Sequence, residues 1–147
     1  MNVHAQRLLN VARSLKESRA PAKFDMGTYG HSRGTPACAL GHYAARTDLQ
    51  NVLFLSGTGD LMQANKARGG FVRTDYDDSL ILSHFGLTDK EVTEIFGCEG
   101  CGEATNPEDA AAYIENFVAE KWPDAKKAPD WNALASEPLP ASERVSA

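Results

Sequence analysis

Gly34-Thr35-Pro36-Ala37-Cys38-Ala39-Leu40-Gly41-His42 is the stretch from which the rest of the chain is best read. Thr35 is a favourable N-cap, and Pro36 suits the first helical position, where its missing N–H costs nothing. The pattern therefore predicts a helix from Pro36 to about Arg46. Cys38 and His42, four residues apart, then share one face of that helix. Such a pair suits a metal site, a nucleophile with its base, or a thiol and an imidazole that only pack. The small residues Ala37, Ala39, Gly41, Ala44 and Ala45 around them favour packing, because close approach of a neighbouring element needs that composition. His42 is then expected to be hydrogen-bonded in or near the core.

Upstream, Leu8, Val11, Ala12 and Leu15 recur at helical spacing and predict a first helix over about Val3 to Ser18, with Arg7, Arg13, Lys16 and Arg19 mostly off its apolar face. Residues 19 to 34 are punctuated by Pro21, Gly27, Gly30 and Gly34, and read as an ordered loop pinned by Phe24, Met26 and Tyr29. Downstream, the apolar run 51–55 ends at Gly57-Thr58-Gly59-Asp60, and Gly70-Phe71-Val72-Arg73 is the strand expected to pair with it. A helix starting at Asp77 or Asp78 ends at Gly86. Thr88-Asp89-Lys90-Glu91 is a capping box for the next helix, which stops at Gly97. The spacing of Leu82, Gly86 and Val92 resembles a helix-turn-helix, but the second helix carries Asp89, Glu91 and Glu94 against Lys90 alone, so it reads as a packed hairpin. Asn106, Pro107, Glu108 and Asp109 open a last helix with Ala110, Tyr113, Ile114, Phe117 and Val118 as its apolar stripe. Together these elements predict an α+β fold, a small, mainly helical single domain over residues 1–122 with a minor two-stranded β element. Residues 123–147, with Pro123, Pro129, Pro138 and Pro140, read as a flexible acidic tail in which Trp131 and Leu134 are isolated apolar anchors for a partner.

A chain of 147 residues can bury one core without staples. Neither a long apolar run nor a basic-then-apolar leader is present, and three cysteines make no regular disulfide framework, so a reducing bacterial cytoplasm is the expected compartment. Charge is uneven: residues 1–50 carry a net of +4 and residues 51–147 a net of −9, for −5 in all. The acidic majority makes nucleic acid an unfavourable partner. The asymmetry suits docking onto a complementary protein, with Arg7, Arg13 and Lys16 as the basic contact residues.

Two chemical alternatives remain beside packing. Cys98-Glu99-Gly100-Cys101 is a C-x-x-C flanked by glycines, and with Cys38 and His42 it makes up the four ligands of a tetrahedral zinc site. In a hydrolase or transferase, Cys38 near a helix N-terminus is the nucleophile, with His42, His31 or His84 as base and Asp25 to orient it. Cysteine among small apolar neighbours is commonly inert, and Cys–His catalytic pairs generally come from separate elements.

Phe24-Asp25-Met26 followed by the Gly34–His42 run resembles the shared core of a group of small, functionally uncharacterised proteins of bacteriophages and prophage-bearing bacteria. Tyr76-Asp77-Asp78 with His84-Phe85-Gly86-Leu87-Thr88 and Ile95-Phe96-Gly97 is similar to a second block, and Asn106-Pro107-Glu108-Asp109 to a third, so the resemblance spans roughly residues 5 to 120. Arg33 stands where that family's first cysteine is expected, which weighs against any mechanism needing two cysteines in the loop. The resemblance implies a phage origin and brings no activity with it. The expectation is a non-enzymatic phage accessory protein that binds a host or phage protein, one form being an inhibitor of a bacterial defence system of the anti-CRISPR kind. No cofactor is expected on this reading.

Overall fold

Helix α1 (Val3–Lys16) is packed on nearly every side, and the structure is arranged around it. A computed structural model describes residues 2–18, 21–26, 28–31, 35–45, 52–65, 69–74, 79–96 and 104–126. Asn2 caps α1 by accepting from the His4 and Ala5 N–H groups at 3.0 and 3.1 Å. Every residue from Ala5 to Ala12 is buried. That is more than the single apolar face read from the sequence, and it includes Arg7, whose placement on the outer surface is thereby corrected.

Around α1 lie α2 (Ala39–Ala44), α3 (Ser79–Phe85) and α5 (Pro107–Lys121), while α4 (Asp89–Phe96) follows α3 and the short α6 (Pro123–Lys126) follows α5. The longest contact is α1 against α5, where Ala110, Ala111, Ile114 and Val118 meet the core that holds Leu8, Val11 and Leu15. Each such aliphatic side chain contributes about 1.5–3 kcal/mol when fully buried. Of the stripe expected from spacing, Ala110, Ile114 and Val118 are buried and Tyr113 and Phe117 pack half-buried against the core, with Ala111 added to them; Asn106 caps the helix by accepting from Asp109 N–H at 2.9 Å. The capping box at α4 is likewise present: Thr88 N–H donates to Glu91 Oε1 at 3.0 Å, and Glu91 N–H to Thr88 Oγ1 at 3.2 Å.

The β element has three strands, not two. Strands β1 (Leu53–Leu55) and β3 (Phe71–Arg73) both pair antiparallel with β2 (Leu61–Ala64), which lies between them. Leu61-Met62-Gln63-Ala64 has no β-branched or aromatic residue, so propensity does not announce it. The registers Leu53↔Gln63↔Val72 and Phe54↔Met62↔Arg73 divide the sheet into two faces. Leu53, Leu61 and Gln63 point inward and are buried, while Phe54, Met62, Phe71 and Arg73 point outward.

The helix predicted from Pro36 starts three residues later, at Ala39. Pro36 instead bridges Gly30, and the Ala37 and Cys38 N–H groups donate to the Tyr29 and Thr28 carbonyls, both at 3.1 Å. These donors are used by the loop 28–31 rather than left for a helix N-terminus, so Cys38 and not Thr35 becomes the N-cap. The loop lies so close to α2 that a Cβ on Gly41 would sit 1.9 Å from the Tyr29 carbonyl oxygen. Replacing Gly41 by Ala should therefore lower stability by at least about 2–3 kcal/mol, measured as the shift of the urea unfolding curve, because backbone rather than a pliable side chain stands in the way.

Candidate functional site

The Cys38–His42 helix face is built by three segments: the end of α1, the loop around Phe24 to Tyr29, and α2 itself. Asp25 N–H donates to the Ala37 carbonyl at 3.1 Å, and Met26 is buried beside the core. Phe24-Asp25-Met26 and the Thr35–His42 part of the Gly34–His42 run are thus joined by a main-chain bond.

Cys38 is buried, and its Sγ accepts from Gly41 N–H at 3.4 Å. Burial pushes the thiol up to about 11, outweighing the backbone bonds that favour the thiolate. A protonated, enclosed sulfur is not an activated nucleophile. In the native protein, Cys38 should resist iodoacetamide at neutral pH and react only after denaturation, as peptide mass mapping would show.

His42 is also buried, at 5% exposure, with its ring 6.2 Å from that of Phe24. Its Nδ1 lies 2.8 Å from the Cys38 carbonyl oxygen and its Nε2 2.9 Å from Ser18 Oγ. Desolvation lowers its pKa below the ordinary value, with the bond to Cys38 opposing. Both ring nitrogens are therefore engaged by the fold, and its partner is a serine that sequence spacing did not suggest. Among the described residues, no group of three or more His, Cys, Asp or Glu is gathered to hold a metal ion. Cys98 and Cys101, the other half of the expected zinc set, lie outside the described residues, as do Trp131 and Leu134.

The other candidate bases are elsewhere. His31 Nε2 donates to the Lys23 carbonyl at 2.7 Å, and Asp25 is exposed. His84, in the last turn of α3, is buried and shares a 2.8 Å hydrogen bond between its Nε2 and the Tyr43 hydroxyl of α2. Its carbonyl oxygen accepts from Arg7 Nη1 at 2.7 Å and from His4 Nδ1 at 3.2 Å. Arg7 is only 2% exposed, so this cation contacts the carbonyl end of a helix rather than a partner surface. Gly86, at φ +62°, ends α3 in the left-handed cap, with Leu87 N–H donating to Leu82 O at 3.0 Å.

Burial, reinforced by the charges of Arg7 and His4, drives the His84 pKa down to about 3. In the unfolded chain the same ring takes a proton near its ordinary value of 6.5. Between those values the unfolded state binds more protons, so the stability held above pH 6.5 is lost as pH falls toward 3. This group alone contributes a slope approaching ~1.4 kcal/mol per pH unit. Urea midpoints at neutral and acid pH should show that loss, and His84→Gln should flatten it.

The remaining basic candidates, Arg13 and Lys16, are exposed as expected, and each meets an acid. Arg13 Nε lies 3.0 Å from Glu17 Oε1, and Lys16 Nζ 2.7 Å from Glu115 Oε1 on α5. The outer sheet face carries a feature not singled out from the sequence. Phe71 is 45% exposed, an exposed large hydrophobic whose ring stands edge-on to that of Phe54 with centroids 4.9 Å apart. Alternation along β3 was the available signal, since it places Phe71 on the same face as the charged Arg73.

In comparisons with known proteins, no family model, no curated protein and no solved structure matches this chain. Among the described residues, no helix is long and apolar enough to cross a membrane.

Proposed function

We propose that this protein acts by binding another protein, with the outer face of the sheet as its contact surface. Phe71 carries the reading. An aromatic side chain held exposed, braced by a second aromatic and bordered by Met62 and Arg73, has the chemistry of an interface centre with a polar rim. The small Ala64 directly opposite Phe71 leaves room for the two rings to meet. Asp60 sits 3.5 Å from Arg73 and adds the other sign of charge to that rim.

The partner is a host or phage protein in the bacterial cytoplasm, and the protein is a phage accessory factor that occupies a host component such as a defence enzyme. Support comes from the phage-like sequence blocks, the small size and a net charge of −5, which disfavours nucleic acid. The basic helix is a weaker surface than expected, because Arg7 is inside and Lys16 is matched by Glu115. No cofactor enters this reading.

A photo-crosslinking residue at position 71, expressed in host cells, should give one adduct of defined mass. Phe71→Ser should reduce recovery of that partner by at least about tenfold with little change in melting temperature, the behaviour of an exposed hot spot. If Arg13→Glu and Lys16→Glu abolish recovery while Phe71→Ser does not, the basic helix is the surface. If none of the three changes recovery, the binding reading falls.

A further inference from the structure

A histidine between a hydroxyl and a carbonyl has its protonation dictated by its neighbours. The Cys38 carbonyl oxygen can only accept, so the 2.8 Å contact places a proton on His42 Nδ1. The neutral ring then has a lone pair on Nε2, and the 2.9 Å contact there must be a hydrogen bond donated by the Ser18 hydroxyl. Ser18 comes from the end of α1, where its own N–H donates to the Leu15 carbonyl at 3.1 Å, and His42 comes from α2. A nucleophile and a base on separate elements, with the base oriented by a third group, is the arrangement that activates serine. Here a main-chain carbonyl stands where a carboxylate often does.

Exposure is divided in the way such a pair requires. His42 is buried and fixed beside Phe24, whereas Ser18 is half-buried and its Oγ has no other hydrogen bond among the described residues. With its proton directed at the base, the Ser18 oxygen keeps lone pairs that no donor among the described residues occupies. Cys38, by contrast, has its sulfur enclosed and engaged by Gly41 N–H.

We propose that Ser18 and His42 form an acyl-transfer dyad, positioned by the Cys38 carbonyl, that accepts the acyl group of small uncharged esters. This activity is separate from docking through the sheet and rests on different residues. Ser18 Oγ attacks the ester carbonyl carbon. As the new C–O bond forms, the Ser18 proton passes to His42 Nε2 and the carbonyl electron pair moves to oxygen. The pair returns, the ester C–O bond breaks, and the leaving alkoxide takes the proton from His42. Water then repeats the sequence, with His42 as base, to release the carboxylic acid and restore the serine. The half-buried Phe24 ring beside the imidazole suits an uncharged acyl group.

General-base assistance of this kind is worth about 10²–10⁴-fold. With p-nitrophenyl acetate, the full-length protein should release nitrophenolate in a burst and carry one acetyl group, mapped by peptide mass spectrometry to Ser18. A fluorophosphonate probe should label the same residue. Ser18→Ala should remove the label and lower the burst rate at least about 100-fold, the lower end of that range. His42→Gln should do the same, with thermal melting to confirm the fold. Should His42→Gln unfold, Ser18→Cys decides the matter: a thiol there should be alkylated by iodoacetamide at least about tenfold faster than free cysteine, through the same base. Acetylation confined to lysines or the N-terminus, an unchanged rate in Ser18→Ala, or a sluggish thiol in Ser18→Cys overturns the proposal.

Discussion

Burying Arg7 is the constraint on which the rest of the structure depends. With Ala5 through Ala12 enclosed, a guanidinium enters the interior, and an uncompensated cation there is costly. The nearest remedy is a set of main-chain oxygens that already lack partners, at the end of a helix. Helix α3 supplies them: its His84 carbonyl accepts from Arg7 and from His4. That docking requires α3 to stop abruptly, which Gly86 does at φ +62°, in a position where a Cβ would lie 2.7 Å from the His4 ring. Turning the His84 carbonyl toward α1 leaves its ring to find a partner in the core, and Tyr43 of α2 provides the hydroxyl. One charge thus links α1, α2 and α3.

Part of the charge asymmetry along the chain is met in space. The basic first helix lies against the acidic α5, where Lys16 meets Glu115, and α5 in turn reaches α4 through Lys121 and Glu91 at 2.8 Å. Exposed pairs of this kind are worth only about 0–1 kcal/mol each. Lys16 and Glu115 also take one charge of each sign out of the surface that α1 presents to a partner. Among the described residues, the large hydrophobic that stays exposed is Phe71.

Local chemistry was legible in the sequence wherever a signal was self-contained. Thr88 with Glu91, Asn106 with Asp109, and the Ala110–Val118 stripe each satisfy neighbouring groups within a turn or two, and each is realised. The α+β, mainly helical character followed from those signals. Elements decided by distant neighbours were not legible. Leu61–Ala64 becomes the middle strand because Leu53–Leu55 and Phe71–Arg73 flank it, not because of its own propensity. Thr35-Pro36 reads as a helix start, yet loop 28–31 takes the next two N–H groups and delays the helix to Ala39. Arg7 looks like a surface residue until the α3 terminus is known to face it. At the candidate site, the histidine was named from spacing, but its partner was not, since nothing local ties Ser18 to a residue on another helix. The small residues of α2 do admit a close neighbour at Gly41, and that neighbour is backbone of the Tyr29 loop.

The brevity of the strands has a consequence for solubility. Strands β1 and β3 are three residues long and β2 four, so either edge of the sheet offers too few free N–H and C=O groups to template further pairing. Arg73 on β3 adds a charge that discourages another copy from stacking in register. A longer, flatter ribbon carrying Phe54 and Phe71 on its open side would be a seed for fibrils. Cut this short, the sheet carrying that aromatic pair gives a second copy little backbone, among the described residues, to pair with.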